Sequence, residues 1–102
     1  MRKVAYLSEA VAQVLLEARE YARLSQAELA EKADCARSFI SFIETQTHIP
    51  GLHAFVALAE TLEIPASELM RRVERKMEMM KENKEDKAEG RKGQKEKSFQ
   101  VR

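Results

Sequence analysis

The side chains most often used in catalysis and metal binding are few in this sequence. It contains one cysteine, Cys35, and two histidines, His48 and His53. Their separations do not match the ligand spacing of a zinc site, and no nucleophile and base form a recognisable set. A glycine-rich phosphate loop is also missing. We therefore predict no enzyme, no metal and no cofactor, and we expect Cys35 to be a buried thiol that packs as a small apolar group.

A second set of residues has the spacing that two short helices joined by a tight turn require. Ser25 and Glu28 are placed as a capping box, which predicts that a helix begins there. Ala30 is small, as needed where the two helices touch. Asp34 stands at the turn, where it tolerates left-handed backbone geometry better than most residues. The apolar positions of the pattern are Leu29, Ala33, Cys35, Ile40 and Ile43.

Helical periodicity continues on both sides of this pair. We expect a first helix capped by Ser8, a third over residues 37–44, a fourth that ends near Leu62, and a fifth with Pro65 in its first turn. With only three glycines and two prolines, the chain has few breaks. The sequence therefore predicts an all-α fold of five helices. The inward positions of the first and fourth helices are Val11, Leu15, Ala18, Leu52, Phe55, Val56 and Ala59.

These motifs resemble the Cro and phage-repressor family of helix-turn-helix regulators, also called the xenobiotic-response-element family. The resemblance covers about residues 8–70. It rests on LSQAELA at residues 24–30, SFISFIE at 38–44, Pro50, LAETL at 58–62 and Glu68-Leu69. It implies a five-helix repressor-like DNA-binding domain and a homodimer. The sequence departs from the family at Asp34, often glycine, at Phe42, often basic or polar, and at Ile49, often asparagine.

The resemblance also implies which residues meet double-stranded DNA. In the family, the residue that matches Gln26 contacts a phosphate, and its side chain braces the recognition helix. The recognition helix is the third helix, over residues 37–44, which enters the major groove. Arg37 is the only basic residue on that helix, and we predict that it contacts a base, because arginine bidentate to guanine is the commonest specific contact. The residues expected to contact DNA are Ser25, Gln26, Ala36, Arg37, Ser38, Ser41, Phe42, Thr45, Thr47 and His48.

One pair of residues in this region is expected to have a structural role, and two further features each have two possible interpretations. Arg19 and Glu44 match a family pair, which implies a partly buried ion pair between the first and third helices. Phe42 either presses on a thymine methyl group or faces a protein partner. The loop residues Thr45, Thr47 and His48 either meet phosphate or face solvent.

A stripe of apolar residues continues along the fifth helix. It comprises Leu69, Val73, Met77 and Met80. The stripe either packs on the core of its own domain or forms a homodimer contact, and we predict the dimer contact because a helix past residue 72 would outrun a small core. We expect residues 1–70 to be the helix-turn-helix domain, 71–82 a helical extension, and 83–102 a charged disordered tail that offers a site for a protein partner.

The charge of the chain is divided unevenly. Residues 1–70 hold six Lys/Arg and ten Asp/Glu, whereas residues 71–102 hold twelve and seven. An acidic domain counts against DNA binding, whose usual footprint is basic. The alternatives to a dimeric, sequence-specific repressor are therefore an antitoxin of a toxin–antitoxin pair and a protein-interaction module that has lost DNA binding. We find neither a membrane-spanning run nor a signal peptide, and we expect a cytoplasmic protein.

Overall fold

The computed structural model describes residues 1–90, and over that range the chain folds into five α-helices. The helices are α1 (Leu7–Tyr21), α2 (Gln26–Ala33), α3 (Arg37–Glu44), α4 (Leu52–Thr61) and α5 (Ala66–Gly90). The predicted all-α, five-helix fold is confirmed. Within the same range, no helix is long and apolar enough to cross a membrane.

Local interactions define both ends of α2 as the sequence predicts. The Ser25 hydroxyl accepts a hydrogen bond from the Glu28 amide at 3.0 Å, and the Glu28 carboxylate accepts one from the Ser25 amide at 2.8 Å. This reciprocal capping box satisfies two amides that the helix leaves unpaired. At the other end, Asp34 adopts the left-handed conformation with φ 60°. The amide of Cys35 then bonds the Ala30 carbonyl at 2.9 Å, which turns the chain towards α3.

The predicted cap of the first helix is wrong. Helix α1 begins at Leu7, after Tyr6 in the left-handed conformation, so Ser8 already lies in the first turn. Its hydroxyl donates to the Glu9 carboxylate at 3.3 Å instead of capping the backbone. The fifth helix begins at Ala66, so Pro65 lies one residue before the first turn in which it was expected. The Pro65 carbonyl accepts a hydrogen bond from the Leu69 amide at 2.9 Å.

One apolar core joins all five helices. The largest fully buried side chains are Leu29, Ile43, Leu58, Leu69 and Val73. Val11, Leu15 and Ala18 line the buried face of α1, and Phe55 and Ala59 that of α4, as expected. Two predicted inward positions differ: Val56 is only partly buried, and the Leu52 side chain is 81% exposed because it is the first residue of α4 and precedes the turns that face the core.

The fifth helix crosses both of the boundaries expected from the sequence. It runs without interruption from Ala66 to Gly90, and Val73, beyond the expected end of the domain, is buried in the core. Residues 83–90, assigned to a disordered tail, are helical, which agrees with the high helix propensity of lysine, glutamate and alanine. The rest of that tail, residues 91–102, lies outside the described residues.

Burial also corrects the dimerisation stripe. Leu69 and Val73 have no exposed surface because they pack against the domain's own core, so their side chains cannot contact a partner in the folded chain. The core-packing alternative therefore holds for these two residues. Met77 and Met80 pack at the edge of the core and are only partly buried.

Candidate nucleic-acid interface

Helices α2 and α3 form the helix-turn-helix unit. Ala30 of α2 is buried, and Ile40 and Ile43 anchor α3 from its inner side. The turn passes through Asp34, and Ala36 precedes α3 in an extended conformation. One side of α3 is therefore held by the core while the other side faces solvent.

A partly buried polar cluster braces this unit. The Arg19 guanidinium donates to both carboxylate oxygens of Glu44, at 2.7 Å and 3.1 Å, and to the Leu24 carbonyl at 2.8 Å. The Gln26 side-chain amide donates to the same carboxylate at 2.8 Å. The ion-paired side chains are 12% and 7% exposed. The cluster ties α1 to the start of α2 and the end of α3.

The cluster also controls charge at the interface. Its hydrogen bond to Glu44 raises the pKa of Arg19 above its ordinary value, against the opposing effect of burial. The guanidinium therefore stays charged and compensates the carboxylate at the end of α3. Without this compensation, Glu44 would place a negative charge close to the surface proposed to approach phosphates.

The outward face of α3 carries the residues expected to read bases. Arg37, Ser38 and Phe42 are exposed and Ser41 is partly buried. Ser38, Ser41 and Phe42 stand at i, i+3 and i+4, so they share one side of the helix. Ala36 supplies no side-chain cap to α3. The Phe39 amide in the first turn of α3 donates instead to the Ala36 carbonyl at 3.0 Å.

The two threonines after α3 have a capping role. The Thr45 hydroxyl donates to the Ser41 carbonyl at 2.9 Å, and the Thr47 hydroxyl donates to the Phe42 carbonyl at 3.0 Å. Gln46 adopts a left-handed conformation between them. A phosphate oxygen needs a donor, and these hydroxyl protons are already directed to carbonyls. Both threonines therefore help to end α3, and their contact with phosphate stays a prediction.

The remaining loop residues pack beside α3 or face solvent. The exposed His48 ring meets the Phe39 ring edge-on, with centroids 5.4 Å apart. Ile49 is 44% exposed. Leu52, on the other side of the Pro50-Gly51 break, is 81% exposed. The sequence predicts Leu52 as an inward position of the fourth helix, so its exposure is a correction to that prediction.

Cys35 lies next to a small cleft between the turn and α4. The cleft has a volume of about 260 Å³, and Phe39, His53 and Leu58 also line it. The thiol is partly buried rather than fully buried as expected. Burial, followed by the charge of Asp34, raises its pKa, so the thiol remains protonated at neutral pH.

Comparison with known proteins agrees with this geometry. A helix-turn-helix domain family matches residues 12–75, more than half of the chain. The structure of the clp gene regulator ClgR from Corynebacterium glutamicum is similar, with a TM-score of 0.75 at 15% identity, covering 82% of this chain and 90% of that chain. The structure of the wild-type restriction-modification controller protein C.Esp1396I is also similar, with a TM-score of 0.65 at 21% identity. The match covers 71% of this chain and 92% of that chain. Comparison of the sequence with curated proteins finds no match.

Proposed function

We propose that this chain, which belongs to the helix-turn-helix domain family, is a regulator of the Cro and phage-repressor type that represses transcription by binding operator DNA as a homodimer. The observation that carries the proposal is the exposed face of α3, braced from behind by Arg19, Glu44 and Gln26. A rigid helix that presents Arg37 and small hydroxyl side chains fits the major groove.

The proposed contacts divide between positioning and base reading. The amides at the start of α2, near Ser25 and Gln26, face a phosphate and set the register of the domain on the duplex. The Ser25 amide already donates to the Glu28 carboxylate, so Ser25 contributes through its hydroxyl, which accepts from the Glu28 amide and keeps a proton to donate. Arg37 donates two hydrogen bonds to a guanine, while Ser38 and Ser41 allow the helix to approach the bases closely.

The proposed dimer uses the part of α5 that leaves the core. Met77 and Met80 are partly buried and Met79 is 55% exposed, so this segment still has apolar surface to cover. A two-fold dimer would place two copies of α3 in successive major grooves, with half-site centres about 10–10.5 base pairs apart. The segment is too short to associate alone, so the globular domain must contribute to the contact.

An interaction module without DNA binding is the second candidate. It is supported by the acidic balance of residues 1–70 and by the exposed apolar side chains of Ile49 and Leu52. Such patches mark protein contacts more often than DNA contacts. An antitoxin would combine the two roles, with the repressor domain on DNA and the basic residues after 90 on a toxin.

Selection of duplexes from a random DNA pool by the full chain tests the proposal. We expect one enriched, two-fold symmetric site, and Arg37→Ala should weaken binding to it by about 1–3 kcal/mol and relax one base position per half-site. Arg75→Ala is the matched control, because it removes the same charge from an exposed position on α5. If no duplex is preferred even at low salt, the interaction module replaces the repressor.

A further inference from the structure

Phe42 is a large apolar side chain on the face of α3 that is proposed to meet DNA. It is 53% exposed, whereas Ile43, the next residue, is fully buried. Its neighbours on the same side of the helix are Ser38 and Ser41, both of which are short. The phenyl ring is therefore the large apolar group on this side of α3, and about half of it is open to a partner surface.

The backbone of Phe42 is held in place. Its carbonyl accepts hydrogen bonds from the Thr47 amide at 2.9 Å, from the Thr47 hydroxyl at 3.0 Å and from the Thr45 hydroxyl at 3.3 Å. The buried Ile43 anchors the same turn in the core. This arrangement presents the ring on a rigid support, which lowers the entropy that ordering it on a ligand would cost.

The major groove contains few groups that a phenyl ring can match. Base edges there present hydrogen-bond donors and acceptors, and covering these without replacing their bonds is costly. The apolar exception is the methyl group on C5 of thymine. A methyl group on C5 of cytosine occupies the same position on the pyrimidine ring, so it offers the same surface.

We propose that Phe42 reads the C5-methyl group of a pyrimidine in each half-site, and this inference rests on the proposed function of α3 as a recognition helix. Arg37 and Phe42 are five residues apart, which is about 7.5 Å along the helix axis. The methylated pyrimidine is therefore a different base from the one that Arg37 contacts. The contact makes binding depend on thymine methyls and, where cytosine occupies that position, on cytosine methylation.

A deoxyuridine scan of the selected duplex tests the proposal with the unaltered full chain. Each thymine is replaced in turn by deoxyuridine, which removes only the methyl group, and Kd is measured by fluorescence anisotropy. We expect one position per half-site at which affinity falls about fourfold, the effect of one methyl-sized apolar group leaving water. At that position, 5-methylcytosine should bind about fourfold more tightly than cytosine, each paired with guanine.

Substitutions of Phe42 test whether its ring causes the fourfold loss of affinity when the methyl group is removed. Phe42→Ala should bind the thymine and deoxyuridine duplexes equally, and Phe42→Leu should keep most of the difference. Tyr21→Ala removes an exposed aromatic side chain at the end of α1, remote from α3 in the sequence, and should keep the full fourfold ratio.

Three outcomes overturn the inference. A preferred duplex without any methyl-sensitive position overturns it while leaving the proposed function intact. A methyl-sensitive position whose ratio survives in Phe42→Ala shows that another residue reads the methyl group and that the ring serves a protein partner. Failure to select any preferred duplex overturns the inference and the proposed function together.

Discussion

Replacing Arg19 by methionine would remove the guanidinium from the polar cluster while keeping much of its aliphatic volume. The Glu44 carboxylate would then lose the donors at 2.7 Å and 3.1 Å and retain the Gln26 amide at 2.8 Å. The Leu24 carbonyl would lose its donor at 2.8 Å as well. Because the Glu44 side chain is only 7% exposed, water can replace little of what is lost.

The size of the effect follows from this burial. Removing one partner of a buried ion pair costs about 3–5 kcal/mol, because the other charge stays behind without compensation. Both side chains of the Arg19–Glu44 pair keep some contact with water, so we expect about 3 kcal/mol, the lower end. Small domains have a total stability of about 5–15 kcal/mol, so the variant should fold and still show a large loss.

A double-mutant cycle with Arg19→Met and Glu44→Leu measures the coupling by urea unfolding, which avoids the screening that guanidinium would add. Replacing both partners removes the unpaired charge, so the double variant should be more stable than the sum of the single changes predicts, by at least about 2 kcal/mol. The exposed pair of Arg72 and Glu68 on α5 is the control, and its coupling should be much weaker because solvent screens both charges. Effects that add within about 0.5 kcal/mol for Arg19 and Glu44 would refute the reasoning.

Two further predictions concern burial elsewhere in the domain. Leu69→Ala should lower the free energy of unfolding by about 3–5 kcal/mol, because it opens a cavity at a fully buried position. Urea unfolding of the variant checks this, and a loss below about 1 kcal/mol would contradict the assignment of Leu69 to the core. Cys35 should react with iodoacetamide more slowly in the folded chain than in urea, since the thiolate is the nucleophile and its raised pKa lowers the thiolate fraction at neutral pH. The folded rate should rise as the pH increases towards that pKa, and equal folded and unfolded rates at pH 7 would contradict the partial burial of the thiol.

Features that depend on a few neighbouring residues were predictable from the sequence. The capping box of Ser25 and Glu28 spans four residues, and the left-handed turn at Asp34 is a property of one residue type at the end of a short helix. Residues 37–44 likewise show the helical period and form α3 over that range. The family resemblance was also present in the sequence, because the motif is long and its parts have the right spacing.

The sequence does not show which group lies opposite a given side chain in the folded protein. The stripe from Leu69 to Met80 has the same period whether it faces a core or a second chain, and only the packing of α5 on α1 buries Leu69 and Val73 inside the domain. The hydroxyls of Thr45 and Thr47 could serve phosphate or backbone equally well until the chain reversal after α3 brings carbonyls within reach.

The sequence by itself therefore determined the fold class, the helix-turn-helix and the residues that could face DNA, because capping, helical periodicity and turn geometry act over a few positions. Only the tertiary structure decided which apolar residues remain exposed. Phe42 and Leu52 are as apolar as the residues of the core. Phe42 is left outside because α3 turns another face inward, and Leu52 because it begins α4 ahead of the turns that face the core. Burial depends on contacts between segments far apart in the chain, and no local pattern contains that information.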